Sequence, residues 1–204
     1  VVITCLHGFL GAPRDWDFLR EAGFVIETPP LDAVPPRGDI LLGYSLGGRL
    51  ALHAVLAGAR YERAIFVSTG LGIEDEAARQ ARRISDEAWA QRFESEEFDS
   101  VITDWNAQPV LTGPALSRTR GDYDSRALRE WSSGVLPPVA SRLHELTIPT
   151  LWIAGSRDAK YVAEAKRAAS LARNARLSII DHSGHRVPWE QPDDFLATVR
   201  AFLR

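Results

Sequence analysis

The chain has 204 residues, 45% of them hydrophobic and 25% charged, with a net charge of −3, enough for one domain with a sizeable core but cramped for two. That mild acidity, without a Lys/Arg-rich run, gives no electrostatic reason to expect nucleic acid as a partner, and no apolar run approaches the roughly 20 residues a bilayer span needs. A single cysteine, Cys5, excludes an internal disulfide and reads as a buried, inert thiol.

Six short apolar runs bounded by Gly, Pro or Asp predict strands: 1–6 (VVITCL), 24–28 (FVIET), 39–44 (DILLGY), 63–68 (RAIFVS), 149–155 (PTLWIAG) and 176–181 (RLSIID). They are apolar throughout rather than alternating, as suits strands covered on both faces of a parallel sheet. Helical patterns follow at 47–59, at 159–173 and at 190–204, the last opening with Pro192 and two aspartates. Strand alternating with helix predicts a doubly wound α/β fold over residues 1–204 as a single domain. Residues 70–145 break the alternation: rich in Arg, Glu and Trp, they are expected to form a helical cap inserted between the fourth and fifth predicted strands.

Three strand ends carry chemistry. Ser45 lies in GYSLGG, where Gly43 and Gly47 allow the sharp strand-to-helix turn of a nucleophile elbow. Asp158 follows LWIAGSR and His185 follows the sixth strand, so the chain order is Ser, Asp, His. A serine hydroxyl needs a base to take its proton and an acid to orient that base. Ser45, His185 and Asp158 are the catalytic candidates for those parts, with the backbone N–H groups of Phe9 and Leu46 as the donors for a developing oxyanion. Asp86, Asp104 and Asp181 are rivals to Asp158, and His182 is the rival to His185; Ser45 and Asp158 could each be only a helix cap. No HExxH or CxxC occurs and the histidines lack ligand spacing, so neither metal nor cofactor is expected.

On LHGFLG, GYSLGGR and GSRD…GH the chain resembles the α/β-hydrolase superfamily. GYSLGGRLAL, ARRISDEAWAQRFE, DWNAQPVL and GSRDAKY together look like the 2-succinyl-6-hydroxy-2,4-cyclohexadiene-1-carboxylate synthases of menaquinone biosynthesis. That resemblance implies a lyase that uses its triad to abstract a proton and expel pyruvate. It also implies Tyr44, Arg49, Arg82 and Trp105 around the substrate, with Arg83 as the alternative to Arg82. A small anionic or ester substrate is expected, and the competing reading is a carboxylesterase or thioesterase working through an acyl-serine. No basic n-region with an apolar stretch opens the chain, so a cytoplasmic home is expected. Two departures stand out: nothing precedes the first strand, where the superfamily has antiparallel strands, and only PPLDAVPPRG links the second and third. With no methionine anywhere, the gene product is expected to hold residues absent from this chain.

Overall fold

The six apolar runs become six parallel strands: β1 (Val2–Leu6), β2 (Val25–Glu27), β3 (Arg37–Tyr44), β4 (Arg60–Val67), β5 (Thr150–Gly155) and β6 (Ala175–Ile180). The structure, a computed structural model, describes residues 1–111 and 113–204. The sheet order is β2-β1-β3-β4-β5-β6. The chain therefore steps one way from β1 to β2 and the other way from β3 onward. In such sheets ligands bind outside the carboxyl ends of the strands at this reversal, and here it sets the loop after β1 beside the turn after β3.

Successive residues of each strand feed opposite faces, which is why the runs are apolar without alternation. Leu41, Phe66 and Trp152 meet Ala51 and Leu52 of α2 (Leu46–Leu56) and Ala165 and Ala168 of α6 (Ala159–Leu171) on one face. Cys5, Leu42, Ile65 and Ile153 meet Leu19 of α1 (Asp17–Glu21) and Phe195, Val199 and Phe202 of α8 (Pro192–Leu203) on the other. Two short helices carry no clear pattern in the sequence: α1, with the 3-10 turn Pro13–Trp16 before it, and α7 (Val187–Glu190).

The link between β2 and β3 forms no helix. Leu31 and Val34 pack onto the α2 face, and the Tyr61 hydroxyl donates to the Pro35 carbonyl at 2.8 Å. Prolines 29, 30, 35 and 36 remove backbone donors and disfavour helix at the residues before them.

Between β4 and β5 the described residues form helices and turns: α3 (Glu76–Ser95), α4 (Phe98–Asn106) and α5 (Arg126–Arg129). Asp75 caps α3 by accepting from the Ala78 amide at 2.7 Å. The apolar side of this segment, with Ala90, Phe93, Phe98, Val101 and Leu128, closes over Leu10 and Phe9 of the loop after β1.

Candidate functional site

Ser45 sits at φ 52°, ψ −111°, a backbone conformation a non-glycine residue holds only under strain. Close packing enforces it: a Cβ on Gly47 would lie 2.4 Å from the Leu6 and His7 carbonyl oxygens, so only glycine lets α2 approach β1 this nearly. Although Ser45 occupies the N-cap position, its side chain makes no capping bond. Its hydroxyl instead lies 3.0 Å from His185 Nε2.

His185 Nδ1 is 2.9 Å from Asp158 Oδ2, an arrangement in which Nδ1–H donates to the carboxylate and Nε2 accepts from Ser45. The second oxygen of Asp158 accepts from the Tyr161 amide at 3.2 Å, capping α6. The cap and the partner of the imidazole are thus one side chain doing two things. Both Asp158 and His185 are buried. The rivals lie elsewhere. His182 and Asp181 are exposed, Asp104 pairs with Arg92 at 2.6 Å, and Asp86 is buried under Arg82 and Ser132.

The loop carrying His185 is fixed by residues that no motif announces. The Ser68 hydroxyl donates to the His185 carbonyl at 2.8 Å. Glu190 accepts from the Gly184 amide at 2.8 Å and the Arg186 amide at 2.9 Å, bracketing the histidine. Ser68 directly follows β4 and Glu190 ends α7, so position at an element's edge was the only signal they carried. The Tyr44 and Tyr161 rings flank the imidazole at centroid distances of 5.5 Å and 4.4 Å.

Phe9 and Leu46 line the cleft beside Ser45. Leu46 is the first residue of α2, where backbone N–H groups have no partner within the helix. The Phe9 ring is wedged against Trp105 at 4.7 Å, and against Phe93 and Tyr123, so the segment above the sheet holds the loop that carries this amide.

From Ser45 an open cleft of about 820 Å³ runs past Arg49, Arg82, Trp105 and Lys160. Arg49 donates to the Trp131 carbonyl at 2.9 Å, while its Nε–H is buried with no acceptor, and it forms no ion pair among the described residues. Burial pushes its pKa down. Arg82 points one nitrogen at both oxygens of Asp86, 2.8 and 2.7 Å away. Of the two adjacent α3 arginines Arg82 lines the cleft, whereas Arg83 is held by Glu76, Gln80 and the Gly134 carbonyl. Tyr44 lies in a second lobe on the far side of Ser45, with Trp105 between the two. Cys5 is buried between sheet and helices, and burial raises its pKa, which leaves it a packing residue.

Among the described residues no helix is long and apolar enough to cross a membrane, and no cluster of three or more His, Cys, Asp or Glu side chains could hold a metal ion.

Comparison with known proteins agrees with this fold. The model of the alpha/beta hydrolase family matches residues 1–198. The 2-succinyl-6-hydroxy-2,4-cyclohexadiene-1-carboxylate synthase of Salmonella arizonae is 30% identical over 99% of this chain and 93% of its own length, and that of Salmonella enteritidis is 33% identical over the same shares. The alignments run over 240 positions against 204 residues here, so these relatives carry insertions this chain lacks. The structure of MenH from S. aureus superposes with a TM-score of 0.88 at 28% identity, over 99% of this chain and 92% of that one. A thermophilic esterase from Thermogutta terrifontis, 19% identical with a TM-score of 0.70 over 100% of this chain and 89% of that one, shares the fold. The chain is an α/β-hydrolase-fold enzyme and belongs to the alpha/beta hydrolase family, in the group of the 2-succinyl-6-hydroxy-2,4-cyclohexadiene-1-carboxylate synthases.

Proposed function

We propose that this enzyme eliminates pyruvate from an enolpyruvyl cyclohexene carboxylate, the synthase reaction of menaquinone biosynthesis, with Ser45, His185 and Asp158 as its triad. The observation that carries the reading is Arg49, one turn beyond Ser45. It is a buried cation with an orphaned Nε–H and no carboxylate partner among the described residues. Such a charge costs several kcal/mol unless an anion joins it. It also sits at the positive end of the α2 dipole, which adds to the cost. A substrate carboxylate offsets both, and a neutral ester does not. The cap, residues 70–145, supplies Arg82 and Trp105 to the same cleft.

The steps close without water. His185 Nε2 takes the Ser45 proton while Asp158 steadies the imidazolium. The Ser45 oxygen then removes a proton from the ring carbon next to the succinyl carbonyl. The electron pair moves onto that carbonyl oxygen, facing the Phe9 and Leu46 N–H groups. Return of the pair forms a ring double bond and breaks the carbon–oxygen bond to the enolpyruvyl group. The departing enolate takes the proton held by His185 and tautomerises to pyruvate, leaving Ser45 protonated.

A coupled assay for pyruvate tests this. Wild type releases pyruvate stoichiometrically with no covalent mass on Ser45, and Ser45→Ala and His185→Ala abolish release. A folded wild type that releases none overturns the reading. An acyl-serine burst from a short-chain ester in its place establishes the carboxylesterase alternative.

A further inference from the structure

Arg49 and Arg82 line one side of the cleft. The lobe on the other side of Ser45, an open volume of about 520 Å³, is lined by Arg118 and Arg186 and, among the described residues, by no acidic side chain. These two arginines are not equivalent. Arg118 is neutralised by a two-pronged pair with Asp15 at 2.7 and 2.8 Å. Arg186, next to His185, is only 8% exposed and donates to two uncharged oxygens, the Pro114 carbonyl at 3.0 Å and Asn106 Oδ1. The acid nearest along its own chain, Glu190, spends both oxygens on the backbone amides of Gly184 and Arg186. Among the described residues two of the five guanidinium N–H bonds are used. Glu190 lies close enough to offset part of the Arg186 charge but bonds only backbone amides, so the guanidinium itself has no carboxylate partner among the described residues. The lobe, walled by Ile102, Leu116 and Trp189, thus presents a buried cation with open donors, which an anion would satisfy. Burial lowers the Arg186 pKa.

We infer that this lobe is a carboxylate site in its own right, built on Arg186 and Asn106, and that it takes the three-carbon oxo-acid end of the substrate while Arg49 and Arg82 hold the other end. The site itself follows from the open donors of Arg186; which end it takes rests on the lyase reading. It is the smaller of the two lobes, about 520 against 820 Å³, and the leaving unit is the smaller part of the substrate. Held there, the enolpyruvyl oxygen departs beside His185, which must protonate it. Arg186 is thus a binding residue for the leaving group, placed one residue from the proton donor.

Calorimetric titration with pyruvate, and separately with succinate, tests the assignment. Asn106→Asp keeps the side-chain size and its acceptor for Arg186 but places a carboxylate on the cation. It weakens pyruvate binding by about tenfold or more, in line with the loss of a charge-assisted contact, without lowering the melting temperature. Arg186→Gln weakens pyruvate similarly, and its fold is checked by circular dichroism. Arg49→Gln weakens succinate and leaves pyruvate within about twofold. Unchanged pyruvate affinity in both Asn106→Asp and Arg186→Gln overturns the site, and equal sensitivity of pyruvate to Arg49→Gln overturns the assignment of ends. A wild type that binds pyruvate as described yet releases none sinks the lyase reading and keeps the site; turnover with unresponsive pyruvate binding does the reverse.

Discussion

The last residue of β5, Gly155, offers a way to move His185 without touching it. A methyl group built on Gly155 would lie 2.2 Å from the Gly184 carbonyl oxygen and 2.4 Å from that of Ser183, where ordinary contacts fall between 3.4 and 4 Å. Both atoms are backbone, so no flexible side chain can give way. The His185 loop must retreat by about 1 Å, from a starting distance of 3.0 Å between His185 Nε2 and the Ser45 hydroxyl. A retreat of that size ends the hydrogen bond, and misplacement on this scale costs on the order of 100-fold in rate. The same clash destabilises by about 1–3 kcal/mol, which lowers the melting temperature by roughly 2–12 °C for a chain of this length. Gly155→Ala is therefore expected to be folded at room temperature but slow. A fluorophosphonate labels Ser45 only when His185 activates it, so the labelling rate reads the geometry independently of substrate, and pyruvate release reads turnover. Labelling within about threefold of wild type in a folded variant would refute the claim that this contact sets the position of the imidazole.

Glu190→Gln removes the charge that brackets His185 and turns an amide NH2 toward one of the two backbone N–H groups it now serves. A loss of about 2 kcal/mol is expected from two weakened charge-assisted bonds, seen as a fall in melting temperature of roughly 4–8 °C together with slower labelling of Ser45. Arg49→Gln is expected to weaken binding of a dicarboxylate such as succinate by about 1.5–3 kcal/mol, with no loss of melting temperature in the unliganded protein, because the variant also removes an orphaned buried donor. A lower melting temperature with unchanged succinate affinity would make Arg49 a structural residue and favour the ester-hydrolase reading.

What could be read from the chain and what could not divides along physical lines. The strands were legible because a sheet buried on both faces forces every residue of a run to be apolar, and Leu41 and Leu42 do serve opposite cores. Ser45 was legible because backbone strain and close approach admit so few residue types at 43 and 47 that the composition of the turn betrays its shape. The supports of His185 were not, because Ser68 and Glu190 act through one and two hydrogen bonds to backbone groups, the first reaching across 117 residues, and impose no pattern on their neighbours. The α3 arginines show the same limit from another side. Arg82 and Arg83 are adjacent on one helix, and their different fates follow from partners far away or on the next turn: Gly134 for one, Asp86 for the other. A helical position fixes the direction of a side chain only to within the spread of its rotamers, so adjacent arginines in a polar segment are separated by tertiary contacts alone. The consequence for substrate choice is direct. The proposed reactive centre is encoded in short, stereotyped turns on the sheet edge, whereas the partners of the arginines in the two lobes depend on whether Asp15, Asp86 and Asn106 happen to meet them. Exchanging Asn106 for an acid is expected to leave the turn that holds Ser45 intact while changing the proposed anion preference, a single substitution that no active-site motif records.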